Sequence, residues 1–148
     1  MINKSLDLVF GKRQYNHPAP IINKIEIGDL SGHRIPELFD ALVDTGADCT
    51  VVPLSVCTAL YPKTREYVRA FGYDGVLKIT PVYWLTIYAK GIEDISIKAL
   101  GVDGRETVLL GRDFLQQQLF VVDNKSSKWC LLRGTTWRSL WFSLLKLI

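Results

Sequence analysis

The apolar residues of this chain occur in short runs separated by turn residues, and this pattern restricts the fold more than any other feature of the sequence. Runs such as 21–27, 82–89 and 95–100 are rich in Ile, Val, Leu and Tyr, and each is followed within two residues by glycine. Such runs are typical of β-strands, and the glycines between them indicate reversals of the chain. About eight short strands with almost no helix predict an all-β fold, a compact β-barrel.

Individual elements and regions are predicted from the same pattern. Short helical segments are predicted at 54–60 and 113–118. The regions expected are an N-terminal arm at 1–20, a barrel domain at 21–132 and a basic tail at 133–148. Strands are predicted at 21–27, 41–43, 67–71, 76–79, 82–89, 95–100, 108–110, 119–122 and 129–132.

The charge balance argues against a protein that wraps nucleic acid over its whole surface. The chain has 18 Lys and Arg against 15 Asp and Glu, a net charge of only +3. Such binding requires many cations along one surface, so we expect no nucleic-acid partner. Five of the basic residues and none of the acidic ones lie in 124–148. A hydrophobic share of 48% over 148 residues is enough for one buried core.

The cysteines and histidines limit the chemistry that this chain can perform. Its three cysteines have no nearby histidine at metal-ligand spacing, so we expect no metal and no cofactor. Cys49 and Cys57 are expected to be small buried thiols. An odd cysteine number without a recognisable secretion leader favours a cytoplasmic location. With two histidines in the whole chain, any catalysis is expected to use carboxylates.

One carboxylate stands out by its position. Asp44 follows the apolar run 41–43, which is typical of a strand buried on both faces. Burying a lone carboxylate is costly unless it is paired, hydrogen-bonded or protonated. The next residues, Thr45 and Gly46, supply a hydroxyl and close backbone approach. The tripeptide suits a carboxylate with a shifted pKa, but taken alone it is better explained as an ordinary turn at a strand end.

The surrounding residues favour the first interpretation. Residues 44–48 followed by Thr-Val-Val at 50–52 resemble the active-site motif of the retropepsins, the retroviral-type aspartic proteases. The second signature of that family is matched by Leu-Leu-Gly-Arg-Asp at 109–113. The resemblance covers 21–132 and implies a retropepsin-like closed β-barrel with one short helix after the Gly-Arg-Asp motif. Beyond the resemblance, a C-terminal amphipathic helix is expected.

The resemblance also implies an activity. An aspartic endopeptidase needs two carboxylates, but this chain has a single Asp-Thr-Gly, so Asp44 is expected to act in a homodimer on a protein or peptide substrate. Thr45, Gly46 and Ala47 are implied to support the active-site loop. Ala47 lacks the hydroxyl found there in pepsin-like enzymes, which implies a less acid optimum than pepsin's. The alternative is a catalytically weak module for dimerisation or peptide binding.

Two further groups of residues acquire roles through the resemblance. Asp48 and Arg112 match an ion pair beside the site, and we expect it to be buried, with Asp48 also close to substrate; the alternative is a surface charge. The hairpin with Gly72, Tyr73 and Gly75 lies where the family carries its flap, so these residues are candidates for substrate binding. A plain surface hairpin explains that segment equally well.

The C-terminal tail carries an apolar stripe at helical spacing. Residues 137, 140, 141, 144, 145 and 148 are Trp, Leu or Ile and share one face of an amphipathic helix. This helix is expected either to pack on the barrel or across the dimer, or to contact a membrane peripherally through 135–148.

Overall fold

The computed structural model describes residues 8–12, 20–61, 64, 66–72, 74–123 and 128–132. Several predictions lie outside these residues: the C-terminal helix, the membrane contact through 135–148, Tyr73 and most of the N-terminal arm. The strands are β1 (Leu8–Lys12), β2 (Ile21–Gly28), β3 (Phe39–Val43), β4 (Val51–Pro53), β5 (Glu66–Phe71), β6 (Leu77–Tyr88), β7 (Ile95–Val102), β8 (Val108–Leu110), β9 (Leu119–Asp123) and β10 (Lys128–Leu132); the helices are α1 (Leu54–Leu60) and α2 (Arg112–Leu115).

The main sheet closes on itself, which confirms the predicted barrel. Seven strands are hydrogen-bonded in the order β2-β3-β8-β4-β7-β6-β5, and β2 also pairs with β6. Because β2 and β6 are hydrogen-bonded to each other, these strands form a complete ring. Among the described strands, β5 lies outside this ring and pairs with β6 only. A second sheet has the order β1-β10-β9, so residues 8–12 pair with the end of the described chain.

Strand β2 follows the predicted apolar pattern with one interruption. Ile22, Ile25 and Ile27 are all buried, a spacing that strict alternation does not allow. The pairing of β2 with β3 shifts between Ile22 and Ile25, and Lys24 has a positive φ of 59°. A β-bulge inserts one extra residue on one strand, so the chain turns Ile22 and Ile25 to the same side.

Strand β6 corrects one prediction. The sequence predicts two strands, at 76–79 and 82–89, whereas the structure contains a single twelve-residue strand, Leu77–Tyr88. The prediction was wrong across 80–81, where the strand continues through Pro81, a residue that lacks a backbone N–H. Pro81 pairs with Tyr67 of β5, and the ladder with β7 begins only at Val82. At this position the strand has a neighbour on one side, where a missing donor is tolerated.

The barrel interior is filled by aliphatic side chains from the strands. Ile25, Ile27, Leu85 and Leu110 are fully buried, and Phe114 of α2 packs into the same cluster. Among the residues that the structure describes, no helix is long and apolar enough to cross a membrane.

The two described thiols lie in different environments. Cys57 is buried on α1, and burial raises its pKa to about 12. Cys49 is exposed, so the expectation that both thiols are buried is wrong for Cys49. The reason is its position on the loop between β3 and β4, outside the barrel interior.

Candidate active site

The site begins where two parallel strands end together. β3 and β8 pair in parallel, with Val43 opposite Leu110. Because the carboxyl ends of parallel strands lie at the same edge, Asp44 and Gly111 emerge side by side. The N–H of Asp44 donates to the carbonyl of Leu110 at 2.9 Å. The two sequence motifs therefore meet at one edge of the barrel.

The carboxylate of Asp44 is held by the backbone that follows it. The N–H of Gly46 donates to Asp44 Oδ1 at 2.8 Å, and the N–H of Ala47 donates to the carbonyl of Asp44 at 3.3 Å. Asp44 is half-buried, whereas Thr45 and Gly46 are exposed in the single chain. The loop thus fixes one carboxylate and presents a hydroxyl beside it at the surface.

The start of α2 clamps this loop through backbone hydrogen bonds. The N–H of Arg112 donates to the carbonyl of Ala47 at 2.8 Å, and the N–H of Asp113 donates to that of Asp48 at 3.3 Å. Gly111 passes so close to the loop that a Cβ there would lie 2.6 Å from the carbonyl carbon of Cys49. Only glycine fits between the two segments in this arrangement.

A second clamp joins Thr50 to Asp113, a connection that sequence reasoning missed. Thr50 is fully buried, and its N–H and Oγ1 donate to Asp113 Oδ2 and Oδ1 at 2.9 and 2.8 Å. The same Oγ1 accepts the N–H of Gly111 at 3.2 Å, and the N–H of Phe114 donates to Asp113 Oδ1. Both residues stand inside the quoted motifs, so the signal was present, but their partnership depends on the fold.

Asp48 and Arg112 form an ion pair, as expected, but the expectation of burial was wrong. Arg112 Nη2 contacts Asp48 Oδ1, and the two side chains are 55% and 76% exposed. Both residues lie on the open edge of the barrel, one on the loop after β3 and the other at the start of α2, so water reaches them. In the single chain this pair is a surface interaction of small energy.

A cleft of about 1060 Å³ lies beside this loop. Asp44, Gly46 and Ala47 contribute to one side of it. Within the described residues, no group of three His, Cys, Asp or Glu side chains is placed to hold a metal ion. The other lining residues come from β4, α1, the β5–β6 hairpin and the segment around the β7–β8 connection: Val51, Leu54, Ala70, Phe71, Gly72, Asp74, Lys78, Ile79, Thr80, Pro81, Leu100, Gly101, Val102, Asp103, Arg105 and Leu109.

The hairpin formed by β5 and β6 bounds the cleft on the side away from the loop. Its turn is closed by a hydrogen bond from the N–H of Gly75 to the carbonyl of Gly72 at 2.9 Å, and Gly75 has a φ of +70°. Gly72 lines the cleft, whereas Gly75 does not, and Tyr73 lies outside the described residues. Asp74 also lines the cleft, although sequence analysis gave it no role.

Asp74 stabilises the hairpin turn with both of its oxygens. Oδ1 accepts the N–H of Val76 at 3.0 Å, and Oδ2 lies 2.9 Å from Lys78 Nζ. The hydrogen bond from Lys78, followed by that from Val76, holds the pKa of the Asp74 carboxyl below its ordinary value. The carboxylate at this turn is therefore paired within the hairpin itself.

Sequence comparison identifies the family. Residues 17–121 match the family described as retroviral aspartyl protease. The chain belongs to this family. The match spans the Asp44 loop and the segment 109–113, so it confirms the resemblance inferred from these motifs.

One solved structure supports the fold of this retroviral aspartyl protease family member. A retropepsin-like aspartic protease from Rickettsia conorii has a TM-score of 0.62 at 17% identity, over 85% of this chain and 90% of that chain. The EIAV protease, solved with the inhibitor HBY-793, has a TM-score of 0.44 at 25% identity, over 70% of this chain and 91% of the other. No curated protein matches the sequence.

Proposed function

We propose that this protein is an aspartic endopeptidase that acts as a homodimer, with Asp44 of each protomer in a shared active site. The observation that carries the proposal is the position of Asp44. It lines the 1060 Å³ cleft together with Gly72 and Phe71 of the hairpin on the opposite side. A carboxylate that faces a hairpin across a peptide-sized cleft suits the chemistry of the family.

The need for a dimer follows from counting carboxylates. The chain contains one Asp-Thr-Gly sequence, so a second catalytic carboxylate must come from another copy. A twofold axis beside Asp44 brings the two carboxylates together, since a symmetric dimer presents the same surface twice. The exposure of Thr45 and Gly46 in the single chain supports a partner at this surface. The Thr45 hydroxyl would then hydrogen-bond across the axis and brace the two loops.

The proposed reaction uses one shared proton. Two neighbouring carboxylates cannot both ionise easily, so one carries a proton and the other is charged. The charged carboxylate takes a proton from a water molecule, whose oxygen adds to the peptide carbonyl carbon while the protonated carboxyl donates to the carbonyl oxygen. The C–N bond then breaks as a proton is transferred to nitrogen. No covalent enzyme intermediate forms.

The alanine at position 47 supports a pH optimum of peptide cleavage above that of pepsin. Ala47 contributes only backbone groups to the loop, with its N–H bonded to the carbonyl of Asp44. A side-chain hydroxyl here would favour the ionised carboxylate, so its absence keeps the shared proton bound at higher pH. Peptide cleavage measured between about pH 3 and pH 8 tests this, and a maximum below about pH 3 would contradict it.

The decisive experiment replaces Asp44. Asp44→Asn should lower kcat at least about a thousandfold, because the amide can neither take up nor share the proton. Asp94→Asn is the matched control, since Asp94 is an exposed carboxylate outside the cleft lining. It should retain activity. Cleavage that survives Asp44→Asn would refute the mechanism, and a folded wild-type dimer that binds peptides without cleaving them would favour the binding module.

A further inference from the structure

The cleft is apolar along much of its wall, but it contains charged side chains that differ in their partners. Lys78 and Asp74 form an ion pair at 2.9 Å, so their charges largely cancel. Asp44 belongs to the proposed catalytic site. The charges that remain are those of Asp103 and Arg105, on the connection between β7 and β8.

Arg105 is a half-buried cation on the cleft wall. Its Nε donates to the carbonyl of Thr107 at 3.2 Å, which fixes the plane of the guanidinium. In the part of the chain that the structure describes, no carboxylate lies within ion-pair distance of Arg105. A guanidinium has five N–H donors, so four remain for other partners. The cleft therefore offers a positioned donor for a planar acceptor.

The carboxylate of Asp103 needs a charged partner less than the guanidinium of Arg105 does. It is exposed, and one of its oxygens already accepts the N–H of Gly104 at 2.9 Å. A peptide filling the cleft would remove water from Arg105, which has no carboxylate beside it among the described residues. Removing water from a cation is unfavourable unless an anion replaces it. A bound carboxylate satisfies this requirement best, because it accepts two parallel hydrogen bonds from a guanidinium.

We propose that Arg105 determines substrate specificity by selecting peptides with a glutamate or aspartate side chain near the scissile bond. The inference rests on the proposed function, which supplies the peptide substrate and the dimer. Twofold symmetry places one Arg105 on each side of the shared site. The preference therefore occurs at one position on each side of the scissile bond, at equal distances from it.

The test compares peptides that differ only in Glu or Gln, scanned through each position on both sides of the cleaved bond. Wild-type protein should cleave the preferred Glu peptide with a kcat/KM about tenfold above that of its Gln partner, because a charged acceptor strengthens the hydrogen bonds. Arg105→Gln should bring this ratio close to one, and Arg105→Lys should retain part of it. Lys90→Gln makes the same charge change at the far end of β6 and should leave the ratio unchanged.

A binding measurement separates failure of this inference from failure of the proposed function. If wild-type protein cleaves both peptides equally, or if Arg105→Gln keeps the Glu preference, the role of Arg105 is refuted while the protease proposal stands. If no peptide is cleaved, the Kd values of the same peptide pairs decide. Tighter binding of Glu peptides that is lost in Arg105→Gln supports the inference, and equal Kd values overturn it. Circular dichroism checks that each variant is folded.

Discussion

The Asp44 loop and the β5–β6 hairpin border the same cleft, but the chain holds them in different ways. Backbone hydrogen bonds to Leu110 and Arg112 fix the loop, and the buried hydroxyl of Thr50 ties it to Asp113. The hairpin has few such connections. Among the described strands, β5 pairs only with β6, and Phe71 near its tip is 74% exposed. The cleft thus lies between a rigid segment and a weakly anchored one.

This difference fits the two tasks in the proposed reaction. A carboxylate that shares a proton must stay within a fraction of an ångström of its position, which requires a rigid loop. A hairpin that admits a peptide and then excludes water must open and close, and such segments have low local stability. An ion pair at 2.7 Å between Glu66 and Lys98 anchors the hairpin base to β7, away from its tip. The hairpin is therefore expected to move about its base.

Replacing one glycine in the loop and one in the hairpin should give the largest difference in stability between the two regions. Gly111→Ala places a Cβ 2.6 Å from the carbonyl carbon of Cys49, and the atoms that it meets are backbone atoms, which cannot move aside as a flexible side chain can. We expect a loss of about 3 kcal/mol in the free energy of unfolding, measured by urea titration.

Gly75→Ala is the matched change in the hairpin. The added Cβ would have no heavy atom within 4 Å, so the cost is limited to the positive φ of +70°. That cost is about 1 kcal/mol. Equal losses in the two variants would show that the loop is no more tightly held than the hairpin, and the comparison would fail.

The buried hydroxyl of Thr50 provides the second comparison. Thr50→Val keeps the side-chain shape but leaves the N–H of Gly111 without its acceptor, and Asp113 loses a donor. Leaving buried polar groups unpaired should cost about 2 kcal/mol. Thr58→Val is the control, since the Thr58 hydroxyl donates only to carbonyls of its own helix. It should change stability by less than about 0.5 kcal/mol in the same assay. A smaller effect at position 50 than at position 58 would contradict the clamp.

The loop was the more predictable of the two regions. The residues of its first motif are contiguous, and the resemblance to the retropepsins connects that motif with the second one at 109–113, so Asp44 could be assigned as catalytic. The bond between Thr50 and Asp113 could not be predicted, because 63 residues separate them and their segments meet through the pairing of β8 with both β3 and β4.

The cleft wall was less predictable for a related reason. Whether Arg105 lines the cleft or faces solvent depends on where β7 ends and on how the chain turns between β7 and β8. The pattern of hydrophobic residues determines neither of these. The exposure of the Asp48–Arg112 pair was missed for the same reason, since burial depends on which edge of the barrel is open. The continuity of β6 through Pro81 could not be predicted either. It depends on the closed sheet, in which Pro81 has a neighbouring strand on one side, β5.

A change at the hairpin tip should affect activity more than stability. Phe71 lines the cleft and is largely exposed without substrate, so Phe71→Ala should change the free energy of unfolding by less than about 0.5 kcal/mol. Closure over a peptide would bury this ring, and its loss should lower kcat/KM about tenfold. Tyr67→Ala removes an exposed ring from the same strand outside the cleft lining. A similar fall in kcat/KM for both variants would indicate a general loss of hairpin structure.

The smallest expected effect is a change of hairpin structure with pH. Because the pKa of Asp74 in the folded chain lies below its ordinary value, its bonds to Lys78 and Val76 stabilise the turn above about pH 4. They weaken as the pH falls through that lowered pKa. The backbone bonds that hold the Asp44 loop, such as that from Arg112 N–H to the Ala47 carbonyl, involve no titrating group. Acid should therefore loosen the hairpin while those bonds remain.

Carboxyl NMR titration of Asp74 measures this directly. Lys78→Met removes the first cause of the shift, so the pKa of Asp74 should rise toward its ordinary value in that variant. Lys90→Gln, which removes a distant charge, should leave it unchanged. An Asp74 pKa that is the same with and without Lys78 would mean that the ion pair does not hold the turn. The hairpin would then be held by the hydrogen bonds between β5 and β6, and lowering the pH would not loosen it more than it loosens the loop.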